Sequence, residues 1–186
     1  MKSELLEQDR SALLLIDLQE RLFPHIHNHQ DMLVRMDLLL CAAGLMNIPV
    51  LATEQYPRGL GKTIEQIHRI VPDLKPLEKV DFSCLPAPGF KDRLVALQRR
   101  QIIVTGIETH ICVMQTALDL IAHGEEVFVV ADATGSRRPL DAETALRRLD
   151  RSGAIITTAE SVVFEWLRRA GTEAFKALQP KLKALA

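Results

Sequence analysis

The sequence has no excess of charge of either sign: 23 Lys and Arg stand against 24 Asp and Glu over 186 residues, a formal net charge of -1. A chain so balanced offers no broad positive field, so neither nucleic acid nor an anionic membrane is expected as a partner. Long apolar runs are missing too. The longest aliphatic stretch, Leu13 to Ile16, is far short of the roughly 20 residues that span a bilayer. Cysteine is scarce and shows no pairing pattern. Cys41, Cys84 and Cys112 are an odd number at wide spacing, with no CxxC pair and no secretory leader, which speaks against a disulfide framework and fits reduced thiols in a cytoplasmic setting. No repeat, low-complexity tract or linker divides the chain, so residues 1–186 are expected to form one domain.

What the sequence does contain is an ordinary globular composition, 47% hydrophobic and 25% charged. A chain of this length buries about 70% of its unfolded surface on folding and has no need of a disulfide staple. Apolar runs of strand length alternate with stretches of helical periodicity from end to end. The strands are expected near 12–16, 49–52, 78–80, 102–105, 127–131 and 154–157, and their nearly continuous Val, Ile and Leu content is what strands covered on both faces require. Between them, 31–46, 90–100, 111–123 and 140–152 have helical spacing, and all but 90–100 stop at or near Gly or Asn. The tail from Glu160 is expected to form short helices interrupted by Gly171 and Pro180. The pattern defines an α/β fold: three layers, α/β/α, around a six-stranded, mostly parallel, doubly wound sheet.

In an open sheet of this kind the ligand crevice lies beyond the carboxyl ends of the strands, where strand order reverses. Three strand-end residues there have the types that make a reactive thiol. They are Asp17 after the first strand, Lys79 at the third, and Cys112 in the turn after the fourth. A nearby ammonium and the positive end of a helix would favour the Cys112 thiolate, and Asp17 would take its proton and return it to a leaving amine. Taken singly, each residue has a plainer role: a packed thiol, a turn-capping aspartate, a solvated lysine. Cys41, inside the first helix, keeps that plainer role.

The segments that carry these residues are Leu14-Leu15-Ile16-Asp17-Leu18-Gln19, then Glu78-Lys79 before Asp81-Phe82-Ser83, then Val104-Thr105-Gly106-Ile107-Glu108-Thr109-His110-Ile111-Cys112-Val113. In this order and spacing the chain resembles, over nearly its whole length, the isochorismatase-like cysteine hydrolases, which include nicotinamidases and related amidohydrolases. Thr53-Glu54-Gln55-Tyr56-Pro57 with Gly59-Leu60-Gly61 looks like a subgroup whose substrates are undefined. The resemblance implies Cys112 as nucleophile, Asp17 as base and Lys79 as the cation that steadies both. It also implies a cis peptide between Ile107 and Glu108, an oxyanion hole made by the Glu108 and Cys112 N–H groups, and a homo-oligomer.

Departures from the family pattern narrow the expected chemistry. Nicotinamidases carry one aspartate and several histidines as metal ligands after the second strand, whereas Glu54-Gln55-Tyr56-Pro57 holds no histidine, so no metal or other cofactor is expected. Family members that cleave a vinyl ether can work without the cysteine, so Cys112 favours acyl transfer on a small-molecule amide-like C–N bond. Vinyl-ether hydrolysis is the alternative in chemistry. A catalytically silent binding or assembly protein on the same fold is the alternative in class. Leu22, Phe23, Tyr56, Phe82 and Ile111 are the candidate pocket lining. The alternating His25, His27 and His29 lack a partner to complete a metal set, and Gly61-Lys62-Thr63 lacks the first glycine of a phosphate-binding loop. Arg137-Arg138 reads as surface.

Overall fold

The computed structural model describes residues 5–185. Its strands are β1 (Ser11–Ile16), β2 (Val50–Gln55), β3 (Leu77–Lys79), β4 (Gln101–Ile107), β5 (Glu126–Gly135) and β6 (Ile155–Thr157). They form one sheet in the order β3-β2-β1-β4-β5-β6, and every pairing is parallel. The helices are α1 (His29–Leu45), α2 (Pro57–Leu60), α3 (Glu65–Ile70), α4 (Phe90–Leu97), α5 (Met114–His123), α6 (Pro139–Arg151), α7 (Ala159–Leu167) and α8 (Glu173–Lys183). No helix among the described residues is long and apolar enough to cross a membrane.

The alternation of side chains along a strand explains why β1 has no polar position in its interior. Leu13 and Leu15 enter a core built with Met36 and Leu39 of α1, Trp166 of α7 and Leu178 of α8. Ala12, Leu14 and Ile16 enter a second core on the opposite face, with Phe90 and Leu94 of α4, Leu120 of α5 and Leu149 of α6. One strand therefore serves both layers, and each buried leucine contributes about 1.5–3 kcal/mol of hydrophobic stabilisation.

Two stretches differ from expectation. Pro180 lies inside α8 and does not interrupt it. Leu178 and Leu182, one turn apart around it, are both buried, and that packing offsets the backbone bond a proline cannot make. The segment after β2 holds two short helices, α2 and α3, too brief to show a helical period; Pro57 occupies the first turn of α2, where its missing N–H is harmless.

Strand order reverses between β1 and β4, which pair directly through Leu13↔Ile103 and Ile16↔Gly106. The chain leaves β1 toward β2 on one side and β4 toward β5 on the other, so a crevice opens between their carboxyl ends. Close approach there demands glycine: Gly106 has φ +109, and a Cβ built on it would stand 2.1 Å from the Ile16 carbonyl oxygen. Beyond Gly106 the pairing with β5 shifts register, from Val104↔Val129 to Gly106↔Thr134, a local irregularity that lets the β4 end turn toward the crevice.

Candidate active site

Asp17 is the first residue past β1 and turns the chain sharply, with a left-handed backbone (φ 55) that aspartate tolerates better than most residues. Its amide donates to Thr53 O of β2 (3.2 Å), which sets the carboxylate over the strand ends. Lys79 closes β3, and its Nζ donates to Asp17 Oδ2 at 2.7 Å; both side chains are 0% exposed. A fully buried ion pair survives only when its remaining donors and acceptors are also satisfied, and here they are. Thr53 Oγ1 donates to Asp17 Oδ1 (2.8 Å), while Lys79 Nζ donates to Gln55 Oε1 (2.6 Å), Phe82 O (3.1 Å) and Asp81 O (3.3 Å).

Cys112 arrives from β4. The Ile107–Glu108 peptide is cis, and Thr109–Val113 forms a π-helical turn that runs directly into α5. Glu108 O accepts from the Ile111 and Val113 amides (3.0 and 3.2 Å) and anchors that turn. The Cys112 thiol reaches Gln55 Oε1 at 3.9 Å and interacts with Asp17 and Lys79. The three strand-end residues thus share one cluster. Their electrostatics differ from expectation. Burial and then the Asp17 carboxylate push the Cys112 thiol well above its ordinary range, and Lys79 only partly opposes them. Burial and the neighbouring carboxylate, rather than the ammonium, dominate at the sulfur.

Several members of the cluster have no role assigned from the sequence, although some lie in the segments quoted above. Gln55 is one, joined to both Lys79 and Cys112. Gln19 is another: its Nε2 donates to Gln55 O (3.0 Å) and Gly61 O (2.7 Å), and its Oε1 accepts from the Gln55 amide (2.8 Å), tying the β1 and β2 ends together. Cys84 is fully buried and 3.6 Å from Thr53 Oγ1, with its thiol pushed up to about 11 by burial and then by Asp17. Arg137, read as surface, is largely exposed yet grips the buried Glu108 carboxylate through its backbone N–H (2.9 Å) and Nε (3.1 Å). His110 Nδ1 meets Ser136 Oγ at 2.9 Å.

The candidate lining residues separate. Phe23 is buried in the core against the edge of His29, and Leu22 packs beside it, so both serve packing. Ile111 packs against the second core. Tyr56 and Phe82 are 55% and 53% exposed. Tyr56 lines a cleft of ≈ 380 Å³ with Pro57, Arg58, Lys79, Val80 and Pro88.

Glu54 and Gln55, at the carboxyl end of β2, are engaged by other protein groups. Both hydrogen bonds to Glu54 Oε1 come from Thr63, from its N–H (2.7 Å) and its hydroxyl (2.8 Å), and Gln55 is held by Lys79. Thr63, from the segment that imitates a phosphate-binding loop, thus serves as an anchor. His29 opens α1 and bonds to Ile26 O (3.0 Å). Among the described residues no group of three or more His, Cys, Asp or Glu converges as a metal ion requires.

An all-parallel α/β sheet brings a buried acid, amine and thiol together where strand order reverses, and the relationships of the chain identify its family. The chain belongs to the isochorismatase family: the isochorismatase domain matches residues 11–161, from β1 into α7, a span that includes Asp17, Lys79 and Cys112. It is 40% identical over 177 residues to isochorismatase domain-containing protein 1 of Danio rerio, covering 95% of this chain and 62% of that protein. To isochorismatase domain-containing protein 2A of Mus musculus it is 37% identical over 175 residues, covering 94% and 84%. A solved structure described as MAR1 ribonuclease from Caenorhabditis elegans superposes with a TM-score of 0.90 at 32% identity, covering 97% of this chain and 93% of that one.

Proposed function

We propose that this isochorismatase-family hydrolase is a metal-independent cysteine amidohydrolase acting on a small-molecule C–N bond, with Cys112 as nucleophile. The observation that carries this reading is the buried Asp17–Lys79 pair, 2.7 Å apart, beside the Cys112 thiol. Asp17 takes the Cys112 proton as Sγ attacks the carbonyl carbon, and the oxyanion rests on the Glu108 and Cys112 N–H groups. The C–N bond then breaks and the amine leaves with the proton held by Asp17, giving a thioester. Water, deprotonated by Asp17, cleaves the thioester, and Sγ recovers its proton as the acid departs. Lys79 offsets the charge on Asp17 throughout. It also stabilises the sulfur whenever the thiolate forms.

The test is a panel of small amides, ureas and vinyl ethers, with RNA included because the C. elegans protein is described as a ribonuclease. For any substrate the parent turns over, Cys112→Ser is expected to lose at least about a thousandfold in kcat/KM, and mass spectrometry of the parent to trap an acyl group on Cys112. Full turnover in Cys112→Ser alongside a dead Asp17→Asn would overturn the thioester route in favour of vinyl-ether chemistry. Inactivity on the whole panel, with no adduct on Cys112, would favour a binding protein.

A homo-oligomer is proposed with it, supported by the large exposed apolar side chains Tyr56, Val80 and Phe82 near the β2 and β3 ends. Light scattering should give a mass at least twice that of the chain, and a monomer at micromolar concentration rejects it.

A further inference from the structure

Gln55 is, among the described residues, a neutral side chain that touches both the ammonium and the sulfur, and its amide is held in a definite orientation. Its Nε2 donates to Val80 O (2.7 Å), so its Oε1 faces inward, accepting from Lys79 Nζ at 2.6 Å and standing 3.9 Å from Cys112 Sγ. The backbone beneath it is fixed on both sides by Gln19. Lys79 Nζ therefore meets four oxygen acceptors with three hydrogens: Asp17 Oδ2, Gln55 Oε1, Asp81 O and Phe82 O. The Cys112 sulfur, which also interacts with Lys79, competes with all four for them. The partial negative charge of Gln55 Oε1 also faces the site where thiolate charge would form.

We infer that Gln55 is a positioning residue: its side-chain oxygen holds the Lys79 ammonium off Cys112 in the resting site, and the thiolate forms once that oxygen is displaced. This rests on Cys112 being the nucleophile and adds a restraint on it that neither the family match nor the strand-end pattern supplies. The arrangement has a chemical logic. A carbonyl substrate that enters beside Cys112 competes with Gln55 Oε1 for the same donor, so the sulfur is unmasked when there is something for it to attack. The titratable groups around the sulfur are Asp17 from β1 and Lys79 from β3. Cys84, from the loop before α4, faces the same pair. Glu108 and His110, on the Cys112 side, are engaged by Arg137 and Ser136.

Two substitutions at Gln55 have opposite expected signs, and neither needs a substrate. Gln55→Met keeps the length of the side chain and removes the acceptor, so a Lys79 hydrogen turns to sulfur. Gln55→Glu keeps an acceptor and adds a negative charge. The measurement is the rate of iodoacetamide alkylation at Cys112, read by peptide mass spectrometry from pH 6 to pH 11, alongside the parent and Asp17→Asn. Gln55→Met should move the profile down by about one pH unit, roughly a tenfold faster reaction at a fixed pH below the midpoint, and Gln55→Glu should move it up. A structural role alone would move both variants the same way or leave both unmoved. Parent-like profiles in both Gln55 variants, with Asp17→Asn shifted to lower pH, would overturn the role of Gln55 and leave the Cys112 reading intact. A profile that Asp17→Asn does not move would overturn the Cys112 reading itself.

Discussion

Lys79→Met is expected to cost about 3–5 kcal/mol of folding stability, because it leaves the Asp17 carboxylate fully buried with no countercharge. The loss is far larger than a surface pair of the same length would give, since neither side chain of the Lys79–Asp17 pair touches water. Most of it comes from stranding the carboxylate, so a second change should return much of it. Asp17→Leu combined with Lys79→Met replaces both charges by apolar groups and should be more stable than Lys79→Met alone. Urea unfolding of the three proteins reads this directly. A Lys79→Met protein within about 1 kcal/mol of the parent would show that the pair contributes little. The same comparison has a pH signature. Burial lowers the affinity of Lys79 for its proton, but the Asp17 carboxylate, with the ionised forms of Cys112 and Cys84 at high pH, outweighs it and the net shift is upward from 10.5. A folded-state value above the unfolded one means that the contribution is complete below about pH 10 and falls as pH rises through the folded value. The parent should lose this contribution under alkaline conditions and Lys79→Met should not.

Gly106→Ala is expected to leave little folded protein. The added methyl would stand 2.1 Å from the Ile16 carbonyl oxygen and 2.6 Å from the Ile16 nitrogen, and backbone atoms of a central strand cannot rotate aside as a side chain can. A φ of +109 adds strain of its own for any residue with a Cβ. Relief requires β1 and β4 to separate where they pair, which would also move Asp17 away from Cys112. A loss above about 4 kcal/mol follows, together with poor recovery of soluble protein. Parent-like unfolding of Gly106→Ala would mean that the β1–β4 approach is looser than described.

How much of this was legible in the sequence follows from how each feature is encoded. The central strands could be read because burial on both faces leaves an unbroken aliphatic run, as in Leu13 to Ile16; β3 and β6 are short and only partly buried, and alternation with helices is what marks them. Asp17, Lys79 and Cys112 could be read because their place at strand ends is fixed by topology. Gln55, Thr53 and Gln19 could not be assigned roles, since an amide or hydroxyl acquires one only from what lies across the strand. Arg137 misleads for a related reason: an exposed guanidinium stem conceals a nitrogen that reaches a buried carboxylate. The upward shift of the Cys112 thiol was also out of reach. Proximity to a lysine suggests a thiolate until burial and the Asp17 carboxylate are weighed against it. Pro180 shows that local punctuation yields when the residues around it are packed.

β3 is only three residues long and lies at the rim of the sheet, paired with β2 alone. Peripheral strands with so few ladder bonds are the first to fray in native-state hydrogen exchange. The ammonium that balances Asp17 therefore rides on one of the two short rims of the sheet, and its bond to the strand-one carboxylate doubles as the clasp that keeps that rim shut. Charge balance and edge closure are one event in this protein, and losing either releases the other.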